Sequence, residues 1–120
     1  MLPSMRERRS GHIVNVASTA AHRVDPTGVV YCATKFAVRA VSDGLRQETT
    51  DLRVTVVCPG LTHTELTHSG GEDQVQRAVR AALDAVGIDP SAIAEGIGYA
   101  IAQPANVNVN EIIVQGTAQV

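Results

Sequence analysis

Three short β-branched runs and three helical patterns alternate along the chain. Residues 12–17 (HIVNVA) form an apolar run whose length and Val/Ile content predict a buried strand. Residues 53–58 (RVTVVC) predict a second strand, halted by Pro59-Gly60, and Glu111–Val114 (EIIV) a third. The strongest helical pattern covers Val29–Glu48. A further helix is predicted over residues 72–86, with Val75, Val79 and Leu83 on one face. Asp89-Pro90 then caps another, which carries Ile93, Ile97 and Ile101 and stops before Pro104. Residues 2–8 add one or two turns, ended at Ser10-Gly11. Residues 18–28, with Asp25-Pro26 and Gly28, and the polar stretch 61–71 read as loops. Strands alternating with long helices imply an α/β fold with parallel pairing through right-handed crossovers.

The Val29–Glu48 helix has two unlike sides. At ~100° per residue, Tyr31, Lys35, Arg39, Ser42 and Arg46 fall along a polar side. Val30, Thr34, Ala37, Val38, Val41 and Leu45 fall opposite, and Phe36, Ala40 and Gly44 widen the apolar side. So broad an apolar arc predicts packing on a sheet and on a second helix as well, within the chain or from another subunit.

Composition narrows the classes. The 120 residues suffice for one small domain, and 44% hydrophobic residues suffice for a core. Aromatics are only 2%, so Val, Ile, Leu and Ala must build that core. A net charge of -2 argues against general nucleic-acid binding, and Arg6, Arg8 and Arg9 read as a solvated helix end. Cys32 and Cys58 lie in apolar stretches, as buried reduced thiols of a cytoplasmic protein would. No apolar run approaches the ~20 residues of a membrane span, and the start shows no signal-peptide pattern. The four histidines form no pair with metal-ligand spacing, so no metal site is expected. GxSxG, P-loop, HExxH and CxxC motifs are all missing from the sequence.

The chemistry gathers at the strand ends. Tyr31 and Lys35 are four residues apart, which stacks them on one helix face. Ser18 closes the first strand and Pro59-Gly60 the second, followed by Thr62 and Thr64. The C-terminal ends of parallel strands are where α/β proteins build their sites.

GHIVNVAS, YCATKFAVRAVSDGLRQE and RVTVVCPGLTHTEL together resemble consecutive motifs of the short-chain dehydrogenase/reductase family. In that family a strand ends in a catalytic Ser, a Tyr follows thirteen residues later and a Lys four after that; Ser18, Tyr31 and Lys35 match both spacings. The resemblance implies NAD or NADP as cofactor. Tyr31 and Lys35 would be catalytic and cofactor-binding, with Lys35 holding the nicotinamide ribose. Ser18 would orient the substrate oxygen. Pro59, Gly60, Thr62 and Thr64 would line the nicotinamide side. The tail VNVNEIIVQGTAQ resembles that of a subgroup acting on alcohols, hydroxy acids or small ketones and aldehydes. His63 and His68 fall in the family's variable substrate loop, where solvated loop histidines are expected.

The sequence departs from the family by lacking the Thr-Gly-x-x-x-Gly-x-Gly turn, the Asn-Asn-Ala-Gly stretch and the helix Asn of the tetrad. The resemblance therefore implies the C-terminal half of a Rossmann-like doubly wound parallel sheet, about three strands with flanking helices. Residues 1–120 would form a partial NAD(P)-binding domain.

Hydride transfer leaves charge on the substrate oxygen, so a proton donor or acceptor must stand there. An ammonium ~4 Å from a phenolate supplies about 1 kcal/mol in water and roughly 4 kcal/mol at an effective dielectric near 20. Lys35 can thus activate Tyr31 only in a partly dry site. Two functions follow as expectations. One is an NAD(P)-dependent oxidoreductase, working as a homo-oligomer through the Val29–Glu48 helix on small alcohols, ketones or aldehydes. The other is a catalytically inactive fragment that keeps a subunit-packing surface.

Overall fold

A computed structural model describes residues 1–68 and 71–120, the side chains of residues 67 and 68 excepted. Helix α1 (Leu2–Glu7) leads into strand β1 (His12–Val16). A 3-10 turn follows at Thr19–Ala21, then helix α2 (Val29–Glu48) and strand β2 (Arg53–Pro59). A second 3-10 turn (Glu65–His68), helix α3 (Asp73–Val86), helix α4 (Pro90–Ala102) and strand β3 (Glu111–Val114) complete the order. The strands pair in parallel in the order β1-β2-β3.

Strand β2 is the centre of the molecule. Val54, Thr55, Val56, Val57 and Cys58 are all buried, as a strand covered on both faces requires. Side chains alternate, so Glu111 turns toward Arg39 of α2, while Ile112 and Val114 lie against Gly96 of α4. Helices α2 and α4 therefore cover opposite faces. Asn108 prolongs the ladder below β3: its Oδ1 accepts from Val54 N at 2.7 Å and its Nδ2 donates to Val54 O at 3.1 Å.

Sequence pattern and helix ends agree. Asp89 caps α4 by accepting from Ser91 N at 2.9 Å, with Pro90 in the first turn. Arg53 closes the other end, donating to the carbonyls of Ala100 (3.1 Å) and Gln103 (2.9 Å). On α3, Leu83 is buried and Val75 and Val79 half-buried, as expected. On α4 the buried residues are Ile93 and Ala100, whereas Ile101 is exposed. Ile101 lies one position off the line that faces the sheet.

The faces of α2 differ from the simple amphipathic reading. Its buried residues are Cys32 and Ser42, while Val29, Val30 and Val41 are exposed. The later part of the polar line, Arg39, Ser42 and Arg46, is what meets the sheet, because its groups find partners there. Asn15 donates to Ser42 at 2.9 Å, and Ser42 donates to Val38 O at 2.8 Å. Arg46 donates to Asn110 O at 2.9 Å. Of the apolar side, Val38 alone joins the cluster of Ala17, Ala21, Val56 and Cys58.

Candidate active site at the C-terminal edge of the sheet

Parallel pairing sets the geometry of the site. Val16 pairs with Val57, so β1 and β2 end side by side and Ser18 and Pro59 emerge at the same edge. Ser18 caps the Thr19–Ala21 turn, its hydroxyl accepting from Ala20 N at 3.1 Å. That bond occupies one lone pair and leaves the hydroxyl proton to be donated outward. Ala20 and Ala21 are buried beneath the turn, which anchors it.

Gly28 precedes α2 and accepts from Cys32 N at 2.9 Å, starting the helix. Tyr31 and Lys35 then rise one turn apart, with the Lys35 ammonium 5.6 Å from the centre of the Tyr31 ring. Tyr31 is 46% exposed and Lys35 half-buried, so the pair opens outward rather than into the core. The neighbouring Cys32 is a buried free thiol.

The Pro59-Gly60 turn is held by the tail. Gly60 N donates to Val114 O at 2.7 Å, and Leu61 N to the Gln119 side chain at 2.8 Å. A Cβ on Gly60 would run into Gln115 and Gln119, including the Gln115 backbone at 3.0 Å, so only glycine fits. Thr62 donates to Gly60 O at 3.0 Å and bridges to Ile88, which ties the segment after β2 to the end of α3. Thr64 is exposed further along. His63 is exposed and lies close to Gly87, while the His68 side chain lies outside the described residues. An open cleft of about 410 Å³ runs between α3 and these loops, lined by Thr27, Leu61, Val75, Ala78, Val79 and Ala82, with Gln74 at its side. Thr27 holds a left-handed backbone (φ 67°), unfavourable for a β-branched residue, one turn ahead of Tyr31.

One residue that sequence reasoning missed links these parts. Glu111 of β3 pairs with His22, four positions after Ser18. Its second oxygen accepts from Arg39 at 3.2 Å, four positions after Lys35. The Cys58 thiol, next to Pro59, reaches the first oxygen at 3.9 Å. Burial and then the Glu111 charge push that thiol up to about 11, against weaker opposite pulls from the Ser18 N–H and Arg39. Local periodicity carries no trace of this arrangement, because its members come from four elements.

Residues 1–75 match the family model described as short chain dehydrogenase. The chain belongs to the short-chain dehydrogenase family. Among curated relatives of this short-chain dehydrogenase chain, an uncharacterised oxidoreductase of Staphylococcus saprophyticus is 45% identical over 124 residues, covering 99% of this chain and 50% of the relative. Another from Listeria monocytogenes is 38% identical, covering 99% and 50%. The chain spans about half the length of the curated relatives it matches. Its fold is shared with serine dehydrogenase complexed with NADP+ in the closed form (TM-score 0.87, 35% identity, 99% of this chain and 49% of that one). Serine dehydrogenase from Escherichia coli is also similar (TM-score 0.77, 31% identity, 99% and 46%).

Proposed function

We propose that this short-chain dehydrogenase chain carries the proton-transfer and nicotinamide-side half of an NAD(P)-dependent oxidoreductase acting on a small alcohol or carbonyl compound. The observation that carries the reading is the outward-opening Tyr31–Lys35 pair in the first two turns of α2, the helix that follows the strand end carrying Ser18. The donor set fits the nicotinamide end of such a cofactor: an ammonium and a phenol one turn apart, a glycine-tight turn, and the Thr62 hydroxyl beside it. When bound, the nicotinamide supplies or accepts the hydride.

The chain's own residues do the rest. Ser18 donates its free proton to the substrate oxygen and fixes its position. Tyr31 gives a proton to that oxygen in reduction and takes one in oxidation. Lys35 lends positive charge to the site, an effect that closure of the site against water strengthens. Lys35 and Thr62 also hold the cofactor, and Pro59, Gly60 and Thr64 shape its nicotinamide side. The apolar cleft by Thr27 and α3 takes the carbon skeleton of the substrate. NAD and NADP both suit this end of the site. The exposed apolar side of α2, with Val30 and Val41 bare, favours association of copies through that helix.

The test joins this chain to a family-type N-terminal half and measures steady-state kinetics and cofactor titration. Tyr31→Phe should abolish turnover with cofactor affinity retained, because only the hydroxyl is lost. Lys35→Ala should reduce both. Near-normal turnover in Tyr31→Phe would overturn the assignment.

A further inference from the structure

Three groups of unlike chemistry meet behind the Ser18 turn. The His22 ring nitrogen, the Cys58 sulfur and a Glu111 carboxylate oxygen all lie within 4.8 Å of one another. They come from three separate segments: the end of the 3-10 turn, the last residues of β2, and the first residue of β3. We propose that His22 Nε2, Cys58 Sγ and Glu111 Oε1 form a binding site for a divalent ion of the zinc class. The site is separate from the Ser18–Tyr31–Lys35 chemistry and stands or falls independently of it.

The donor set selects the ion. One thiolate, one imidazole and one carboxylate suit zinc and its borderline neighbours, whereas magnesium and calcium take oxygen donors. Bond lengths of about 2.0–2.3 Å in a tetrahedron place ligand atoms roughly 3.3–3.7 Å apart. The Cys58 sulfur and Glu111 oxygen are already 3.9 Å apart. His22 and Glu111, whose side chains are 31% and 24% exposed, stand in direct contact and must move apart to admit the ion between them.

The surroundings favour it as well. Cys58 is fully buried in β2 and cannot drift. Arg39 holds the other Glu111 oxygen at 3.2 Å and so keeps Oε1 turned toward His22 and Cys58, as outer partners of metal ligands do. The His22 and Glu111 side chains are partly exposed, so an ion and a water as fourth ligand would reach the cluster from that side. On binding, the Cys58 S–H bond breaks, a sulfur–metal bond forms and one proton passes to solvent; no electrons are exchanged. The direct His22–Glu111 contact is replaced by two bonds to the metal. The ion would thereby pin the Ser18 turn to the ends of β2 and β3.

The experiment titrates the 120-residue chain, kept reduced, with Zn2+ by calorimetry and with Co2+ as an absorption probe. One ion per chain should bind, with release of a proton and a sulfur-to-cobalt charge-transfer band. Cys58→Ser, close in shape, should lose the band, and His22→Gln should weaken binding about tenfold or more. Cys32→Ser, whose thiol lies outside the cluster, should leave both intact. Circular dichroism of each variant establishes that the fold persists; His22, being partly exposed, tolerates replacement even if Glu111→Gln does not. Absence of binding, a cobalt spectrum without the thiolate band, or binding unaffected by both Cys58→Ser and His22→Gln would overturn the proposal.

Discussion

His12 shows how a single side chain can set acid sensitivity. Its Nε2 bonds the buried Thr55 hydroxyl at 2.8 Å, and its Nδ1 is buried with no hydrogen-bond partner among the described residues. Burial, and then the Arg53 charge, hold it below its ordinary value of 6.5. The unfolded chain therefore takes up this proton at higher pH than the folded one. The stability associated with neutral His12 is complete above pH 6.5 and is lost as pH falls from there toward the lowered folded value. Urea midpoints measured between pH 7.5 and pH 5 should fall, and His12→Gln should flatten that fall. A midpoint equally acid-sensitive in His12→Gln would remove His12 as the cause.

Helix α2 separates what sequence pattern can reveal from what it cannot. Its bounds, and those of β3, were legible because a long helical pattern and a short β-branched run are each set off there by turn residues. The parallel pairing was legible from the alternation of strands with long helices, and the strand-end position of Ser18 and the Tyr31–Lys35 spacing from the local pattern. The inward face was not. Sorting residues by polarity turns Ser42 outward, yet it is fully buried and bonded to Asn15 across the helix–sheet contact. A hydroxyl can satisfy itself on a backbone carbonyl and still accept a partner from a strand, so a polar residue need not face water. Glu111 escaped for a related reason: its partners lie in other elements, and only the fold brings them together. Ser42→Ala would strand the Asn15 amide, and a loss of about 1–3 kcal/mol is expected from urea unfolding. In Asn15→Ala the same second change should cost much less, a coupling that a double-mutant cycle reads directly.

The whole molecule is slender for its length. Its radius of gyration is 16.0 Å and its extents 49 × 26 × 22 Å, whereas a compact domain of this size has a radius of about 13–14 Å. No helix among the described residues is long and apolar enough to cross a membrane. Large apolar side chains stand bare on α2 (Val30 78%, Val41 60%), α4 (Tyr99 61%) and β3 (Ile113 52%). Such surface favours association. In the chain joined to a family-type N-terminal half, a dimer or tetramer is expected, and Ala40→Arg, at an exposed position on α2, should shift it toward monomer by placing an unpaired charge in the contact. An unchanged mass by light scattering would move the interface elsewhere. The 120 residues alone should show no dehydrogenase turnover, since the sequence holds no Gly-rich turn to grip the cofactor pyrophosphate. Micromolar NADH or NADPH binding by calorimetry, with turnover lost on Tyr31→Phe, would refute this.

Glu111 also imposes an order in time. It joins His22, Arg39 and Cys58, yet it follows all three in the chain, on the last strand. During synthesis the Ser18 turn, the Tyr31–Lys35 helix and the Pro59 turn leave the ribosome well before the residue that fastens them together. Until β3 docks against β2, His22, Arg39 and Cys58 wait without their common partner. A nascent chain stalled before residue 111 should therefore expose Cys58 to alkylating reagents, and one released after it should not. Translation would complete that cluster only on reaching β3.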